Sequence, residues 1–155
     1  MHYRPAVLSA VLLVHLGAHA WAQGVVIRNT TPAVVTDRLK TELLPQGFKL
    51  ERANEKSALF TLDRGMVAQQ GSSVVRGGLV HVVLELQVRF KQKAEGLVVT
   101  ATEEAVGDRS SPLGFRKPVE SRVERDNLQR LLDMIRADLE AAAARDSTVR
   151  RDSSD

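Results

Sequence analysis

The chain has 155 residues, a near balance of 22 basic and 19 acidic side chains, and no cysteine. Because acids and bases are interspersed and aromatic residues are few, the composition lacks the basic, aromatic-rich face that is typical of nucleic-acid binders. Without disulfides, the stability of the chain must come from a buried core, and the length predicts one domain of ordinary size.

Residues 1–22 have the three parts of a bacterial secretory signal peptide. Arg4 supplies the positive charge, Ala6–Gly17 is mostly apolar, and the Ala-Trp-Ala sequence at 20–22 fits a small-x-small cleavage site. The apolar run is shorter than the roughly 18 residues that a membrane span requires. We therefore expect cleavage after residue 22 and no transmembrane anchor in the mature chain. The predicted location is the periplasm, and secretion to the medium is the alternative.

The mature chain has few of the side chains that commonly serve as catalytic residues or metal ligands. His81 is its single histidine, and it contains no cysteine, tryptophan or tyrosine. It therefore lacks a thiol nucleophile, a tyrosine acid and any His/Cys combination of metal ligands. We predict a protein that is not an enzyme, with no cofactor and no metal site, in which His81 is a solvated side chain on the polar face of a strand.

The first elements in chain order are a short extended segment, Gly24–Arg28, and a helix over Pro32–Leu44. Thr31 suits the N-cap position, and the proline that follows it suits the first helical position because it has no N–H to leave unsatisfied. Apolar residues then recur at helical spacing: Val35, Leu39 and Leu43. Pro45 and Gly47 predict the end of the helix.

Two predicted hairpins follow the helix. The first joins Phe48–Arg52 to Ser57–Asp63 through a polar turn. The second begins with a run whose alternate side chains are all apolar, which is the period of a half-buried strand: Val80, Val82, Leu84, Leu86, Val88 and Phe90. A turn at 93–96 leads to Leu97–Thr102, and a loop of even length keeps the apolar faces of both strands together. This register places Glu103 on the core face, so we expect the apolar face to end there, at a sheet edge or under an arginine.

Two long connections are the candidate binding segments. Arg64–Gly78 is rich in Gly, Ser and Gln, and we interpret it either as a loop that closes over a partner or as an arm that extends the neighbouring strands. A featureless linker is the simpler alternative. Val106–Pro118 contains glycines and prolines that predict irregular structure over most of its length, with Phe115 as an anchor. The candidate partner-binding residues in these segments are Met66, Val67, Val74, Val75 and Arg109.

The last element is an amphipathic helix predicted over Ser121–Ala142. Ser121 and Glu124 fit a capping box, and an apolar stripe follows: Leu128, Leu131, Leu132, Ile135 and Leu139. Residues 143–155 predict a disordered C-terminal tail.

The predicted fold is a single α+β domain over residues 23–142, with the order β-α-β-β-β-β-α. An antiparallel sheet of four or more strands carries both amphipathic helices on one face, because every element is apolar on one side only. The predicted core consists of Leu39, Leu43, Phe60, Val82, Leu84, Leu86, Val88, Phe90, Val99, Leu128, Leu131 and Ile135.

The succession of Thr31-Pro32, a helix, Gly47-Phe48 opening a strand, a turn, a second strand and a closing amphipathic helix is similar in outline to small modules of bacterial envelope proteins. Examples are the lipopolysaccharide-transport lipoproteins of the outer membrane and the periplasmic domains of secretion-system subunits. The resemblance implies an envelope protein. We therefore predict a binding or assembly domain that contacts another envelope protein through a sheet edge or the Arg64–Gly78 segment. The alternative is a carrier of a small apolar ligand or lipid between helix and sheet.

Overall fold

The computed structural model describes residues 22–68, 79–108 and 114–152. Nearly all of the predicted signal peptide therefore lies outside the described residues. The elements in chain order are β1 Gln23–Ile27, α1 Pro32–Leu43, a 3-10 turn Leu44–Gln46, β2 Lys49–Ala53, β3 Ser57–Ala68, β4 Leu79–Lys93, β5 Gly96–Gly107, β6 Phe115–Pro118 and α2 Arg122–Asp152. The predicted α+β class and the order of the predicted elements are confirmed, and β6 is an additional strand.

The six strands form one antiparallel sheet in the order β1-β5-β4-β3-β2, and β6 also pairs with β5. β1 and β6 share the same side of β5: β1 pairs with residues 97–101 of β5, and β6 pairs with residues 104–107. The predicted register of the long hairpin is confirmed, because Val88 lies opposite Ala101 and Phe90 lies opposite Val99. The apolar faces of β4 and β5 therefore coincide.

Helix α1 begins and ends as its sequence predicts. The Thr31 hydroxyl accepts a hydrogen bond from the Val34 N–H at 3.4 Å, and proline stands at the first helical position. The chain reverses after the 3-10 turn at Gly47, which has a φ of 91° and donates to the Leu44 carbonyl at 3.0 Å. Glycine adopts this left-handed conformation without the steric cost of a Cβ, so β2 can return along the sheet.

The core lies between the two helices and one face of the sheet. Most of the predicted core residues are buried there: Leu39, Leu43, Phe60, Leu84, Leu86, Val88, Phe90, Val99 and Ile135. Leu128 and Leu131 are partly buried against the same cluster, which also contains Val25 and Ile27 of β1. The prediction is wrong for Val82, which is only partly buried and lies outside the cluster. Both of its cross-strand neighbours are glycines, which have no side chain to cover it.

Two strands are longer than the sequence predicts. β3 continues past Asp63 to Ala68, so the beginning of the Arg64–Gly78 segment extends a strand, and β5 continues past Thr102 to Gly107. A bulge interrupts the alternation of apolar and polar residues in β3, and two adjacent glutamates interrupt it in β5. The period that signals a strand is lost at both places although the ladder of hydrogen bonds continues.

Two further predictions are wrong in detail. The segment Phe115–Pro118, predicted to be irregular, forms β6, because pairing with β5 satisfies its backbone and proline is tolerated on an edge strand. Helix α2 does not end at Ala142 but continues to Asp152, into the segment predicted to be a disordered tail. Alanine and arginine favour helix, and neither glycine nor proline interrupts this stretch. Within the described residues, no helix is both long and apolar enough to cross a membrane.

Candidate partner-binding site

β3 is longer than the strand that covers its outer edge. β2 accompanies β3 as far as Thr61, which lies opposite Lys49, whereas β4 accompanies β3 to its end, where Ala68 lies opposite Leu79. In the described part of the chain, residues 62–68 of β3 therefore have β4 on one side and no strand on the other. We call residues 64–68 and 79–82 the arm. An uncovered strand edge is a template for pairing with another chain.

Two backbone hydrogen bonds, one on each side of β4, show which of its residues direct their N–H and carbonyl groups toward β3 and which toward β5. The Phe90 N–H donates to the Lys56 carbonyl, just before β3, at 2.8 Å. On the other side, the Asp108 N–H donates to the His81 carbonyl at 3.1 Å. Because residues of an antiparallel strand alternate between their two neighbours, the even-numbered residues of β4 bond to β3 and the odd-numbered residues bond to β5.

This alternation leaves the peptide groups of Met66 on the open edge. Its chain neighbours Gly65 and Val67 pair with Val82 and Val80, which are even-numbered residues of β4. The N–H and carbonyl of Met66 therefore point away from β4, toward the side where β3 has no neighbour in the described residues. A partner strand could form main-chain hydrogen bonds here without displacing any bond of the sheet.

A β-bulge at the base of the arm sets which side chains face which way. The register between β3 and β4 shifts between Asp63 and Gly65, and Gly65 has a φ of 69°. One carboxylate oxygen of Asp63 accepts the Gly65 N–H at 2.7 Å and lies 2.9 Å from Nε2 of His81. The Gly65 N–H, and after it His81, hold the pKa of Asp63 below its ordinary value. The extra residue exchanges the faces on which the side chains of the strand lie.

Large apolar side chains are exposed on both faces of the arm. Met66 pairs with His81, so it lies with Leu79 on the sheet face away from the helices, while Val67 lies on the opposite face with Val80. Met66, Val67 and Leu79 are all exposed. Clusters of exposed apolar side chains on a monomer are typical of interaction surfaces, and here the cluster surrounds the open backbone edge.

The structure brings together two of the five predicted partner-binding residues. Met66 and Val67 are neighbours in the arm, whereas Val74, Val75 and Arg109 lie outside the described residues. Leu79 belongs to the same surface but was not predicted. It lies two residues before His81, so it shares the polar face of β4. An apolar side chain on that face could have indicated an exposed contact surface.

A polar cluster lies on the sheet face away from the helices. Glu85 and Glu104 are directly opposite each other on β4 and β5, and Arg116 of β6 contacts both. Its Nη2 is 2.9 Å from a carboxylate oxygen of Glu85, which is buried. Because the Arg116 guanidinium bridges both carboxylates, the cluster joins β6 to β5 and β4.

Glu103 lies on the helix-covered face, opposite Leu86. It borders a hollow of about 370 Å³ that Arg64 of β3 and Glu124 of α2 also line. Burial raises the pKa of Glu103 and the nearby Glu124 carboxylate raises it further, while Arg64 acts in the opposite direction. The hollow carries no other titratable side chain among the described residues, so a charged Glu103 is only partly compensated.

The sequence matches no known protein-family model, and no curated protein is significantly similar to it. Among the described residues, no group of three or more His, Asp or Glu side chains could hold a metal ion.

Proposed function

We propose that this protein is a non-enzymatic binding or assembly domain of the bacterial cell envelope, and that it holds another envelope protein through a strand added to the open edge of β3. The observation that carries the proposal is the peptide edge at Met66, which has no partner strand among the described residues and is flanked by exposed apolar side chains on both faces. The predicted signal peptide supports the envelope location.

The arm defines the chemistry of its partner. An added strand would gain its affinity from main-chain hydrogen bonds to the Met66 region and its specificity from alternate side chains. Those on one face would contact Met66 and Leu79, and those on the other would contact Val67. The partner is therefore an extended segment with apolar residues on both faces near its centre.

The residues beside the bulge restrict which strands can pair. Natural proteins protect open edges with charges and bulges, which prevent indiscriminate pairing. At the base of the arm, Asp63 and Arg64 are charged, and a bulge lies between Asp63 and Gly65. A partner strand is thereby confined to the last residues of β3, and a long flat strand would meet the bulge.

Site-specific photo-crosslinking in the native host tests the proposal. A photoreactive residue at position 67 should capture one envelope protein, and the same residue at position 34 is the matched control. Val67 and Val34 are 44% and 46% exposed, but Val34 lies on α1. The adduct is identified by mass spectrometry. Equal capture of the same proteins at both positions, or no adduct at position 67, would contradict the proposal.

A pair of substitutions at Met66 then separates strand addition from simple apolar contact. Met66→Leu keeps the apolar side chain and the N–H, whereas Met66→Pro removes the N–H that points away from β4 and leaves the bonds between β3 and β4 in place. We expect Met66→Leu to bind the captured protein normally and Met66→Pro to bind it about tenfold more weakly. Equal affinity of the two variants would exclude a main-chain contact at this residue.

A further inference from the structure

Basic side chains gather at one end of the sheet face that points away from the helices. Arg89 and Lys91 are odd-numbered residues of β4, and the even-numbered residues from 84 to 90 are buried in the core, so both basic side chains lie on the outer face. Arg52 of β2 pairs with Leu59 of β3, whose chain neighbours are both buried, so Arg52 shares this face. All three basic residues are exposed. We call Arg52, Arg89 and Lys91 the basic patch.

The three cations of the basic patch have no carboxylate partner in the described ranges 22–68, 79–108 and 114–152. None of them forms an ion pair there, whereas Lys93, the next basic residue on this face of β4, lies 3.7 Å from a carboxylate oxygen of Glu95. Glu51, beside Arg52 in the chain, accepts a hydrogen bond from the Thr61 hydroxyl at 2.7 Å. The basic patch therefore keeps a net positive charge.

The acidic residues of the outer face lie toward its other end and interact with local basic groups. Glu85 and Glu104 share Arg116, and Asp63 lies 2.9 Å from Nε2 of His81. Along β4, His81 and the first cation of the basic patch, at position 89, are about 27 Å apart. At that distance salt in the medium screens one end of the face from the other.

The spacing of the cations favours an extended anionic surface over a single small anion. Arg89 and Lys91 are about 7 Å apart along β4, and Arg52 lies two strands away, about 10 Å across the sheet. The backbone positions of the three residues are thus spread over a flat part of the sheet and do not surround one point. A surface that carries many anions can neutralise all three cations at once.

The side chains around the cations favour a lipid surface over a nucleic acid. Thr100 lies opposite Arg89 and Val98 lies opposite Lys91, so the neighbouring strand contributes short, neutral side chains that allow close approach. Aromatic rings, on which the bases of a single strand would stack, are not part of this surface. Among the described phenylalanines, three pack in or against the core and the fourth lies on β6.

We propose that the basic patch docks the protein on a membrane surface that contains anionic phospholipid, through attraction to the phosphodiester head groups. The inference rests on the proposed envelope location but not on strand addition, because the basic patch and the arm lie at opposite ends of β4. Each basic side chain close to an anionic membrane surface strengthens binding by about fivefold. Three such side chains bind reversibly and orient the outer face of the sheet toward the head groups.

Vesicle flotation of the mature protein tests the ligand. Vesicles of phosphatidylcholine alone are compared with vesicles that also contain phosphatidylglycerol. We expect binding to the anionic vesicles at low ionic strength, release as added salt shortens the Debye length, and little binding to the neutral vesicles. Equal binding to both kinds of vesicle, or to neither, would overturn the proposal. Tighter binding of a single-stranded oligonucleotide than of the anionic vesicles would overturn the assignment to lipid.

Charge reversal locates the contact. The double variant Arg89→Glu, Lys91→Glu should bind anionic vesicles at least about twentyfold more weakly. The matched control Arg122→Glu, Arg130→Glu makes the same change in net charge at exposed positions of α2, on the other side of the sheet, and should lose much less affinity. The exchange Arg89→Lys, Lys91→Arg keeps both charges and should bind like wild type. Circular dichroism confirms that each variant is folded. Equal weakening by the two reversed variants would overturn the basic patch as the docking surface.

Discussion

Gly107 is the position in the sheet where an added side chain meets the closest contact. Its partner on β6, Phe115, lies so near that a Cβ on Gly107 would be 2.2 Å from Cε1 of the ring. An aromatic ring that covers a cross-strand glycine gives the glycine the apolar cover that its missing side chain cannot provide. The Lys117 ammonium lies over the same ring, 5.6 Å from its centroid. The glycine and the aromatic residue together fix β6 in its register.

Gly107→Ala should therefore destabilise the protein by about 1–3 kcal/mol through overpacking. Gly24→Ala is the matched control in the same sheet, because the closest contact of its added methyl would be 3.3 Å, to a side-chain methyl of Thr100. Urea unfolding of both variants measures the difference. Equal losses of stability in the two variants would show that Phe115 moves aside at no cost.

Glu103 gives a pH-dependent prediction. Its folded-state pKa is raised by burial and by Glu124, so the charged form is disfavoured in the folded state. Glu103→Gln should stabilise the protein at neutral pH, and this gain should disappear as the pH falls below the ordinary glutamate pKa of about 4.3, where wild-type Glu103 is protonated in both states.

Urea midpoints at pH 7 and at about pH 3.5, below the ordinary glutamate pKa, measure this effect. Glu104→Gln is the control, because Glu104 is bound by Arg116 on the other face of the sheet. Loss of that charge should lower the stability at neutral pH. A gain for Glu103→Gln that persists at low pH would contradict burial of a charged carboxylate as its cause.

β4 carries the largest contrast in burial along one strand. Leu86 is 3% exposed in the core, whereas Leu79 is 65% exposed in the arm. Leu86→Ala should cost about 2–5 kcal/mol through lost burial and a residual cavity. Leu79→Ala removes the same atoms from an exposed site and should change the free energy of unfolding by less than about 0.5 kcal/mol. Similar losses for both leucines in urea unfolding would refute the assigned faces of β4.

Elements with local signals could be predicted from the sequence. β4 has an uninterrupted alternation, and α1 has a cap, a proline and an apolar stripe, so both were predicted close to their observed bounds. β6 has four residues and exists because β5 pairs with it. The end of β3 lies beyond a bulge that breaks its period. The local sequence therefore signals neither β6 nor the end of β3, because both form through pairing with residues that are distant in the chain.

The candidate site could likewise be predicted only in part from the sequence. Met66 and Val67 could be found because apolar residues are conspicuous in a polar segment. The open edge beside them depends on where β2 ends, which the sequence does not reveal.

At the scale of the whole molecule, both described helices lie on the same face of the sheet, and the outer edges of β5 and β3 differ. The outer edge of β5 is covered along most of its length by β1 and β6, with the Val119 N–H donating to the Glu103 carbonyl at 2.9 Å just before the β6 pairs begin. Among residues 22–68, 79–108 and 114–152, a strand covers the outer edge of β3 only in its first half.

If residues 1–22 are a signal peptide, as we propose, the mature protein should begin at Gln23, the first residue of β1. Mass spectrometry of the intact protein recovered from the periplasm checks this prediction. Ala20→Arg should block cleavage, because signal peptidase requires a small residue at that position, and the retained signal should leave the protein attached to the membrane. A periplasmic protein that retains residues 1–22 would contradict the predicted cleavage, and a protein confined to the cytoplasm would contradict the predicted localisation.

The pairing of β1 has a consequence for the timing of folding. β1 is the first element of the described chain, yet its partner strand is β5, and residues 23–27 face residues 97–101 across more than half of the sequence. Contacts of such long range form slowly, because the intervening chain must be closed into a loop first. A ribosome-bound or translocating chain cannot complete its sheet until β5 has emerged. The N-terminal segment therefore stays without its partner strand until most of the chain has been synthesised.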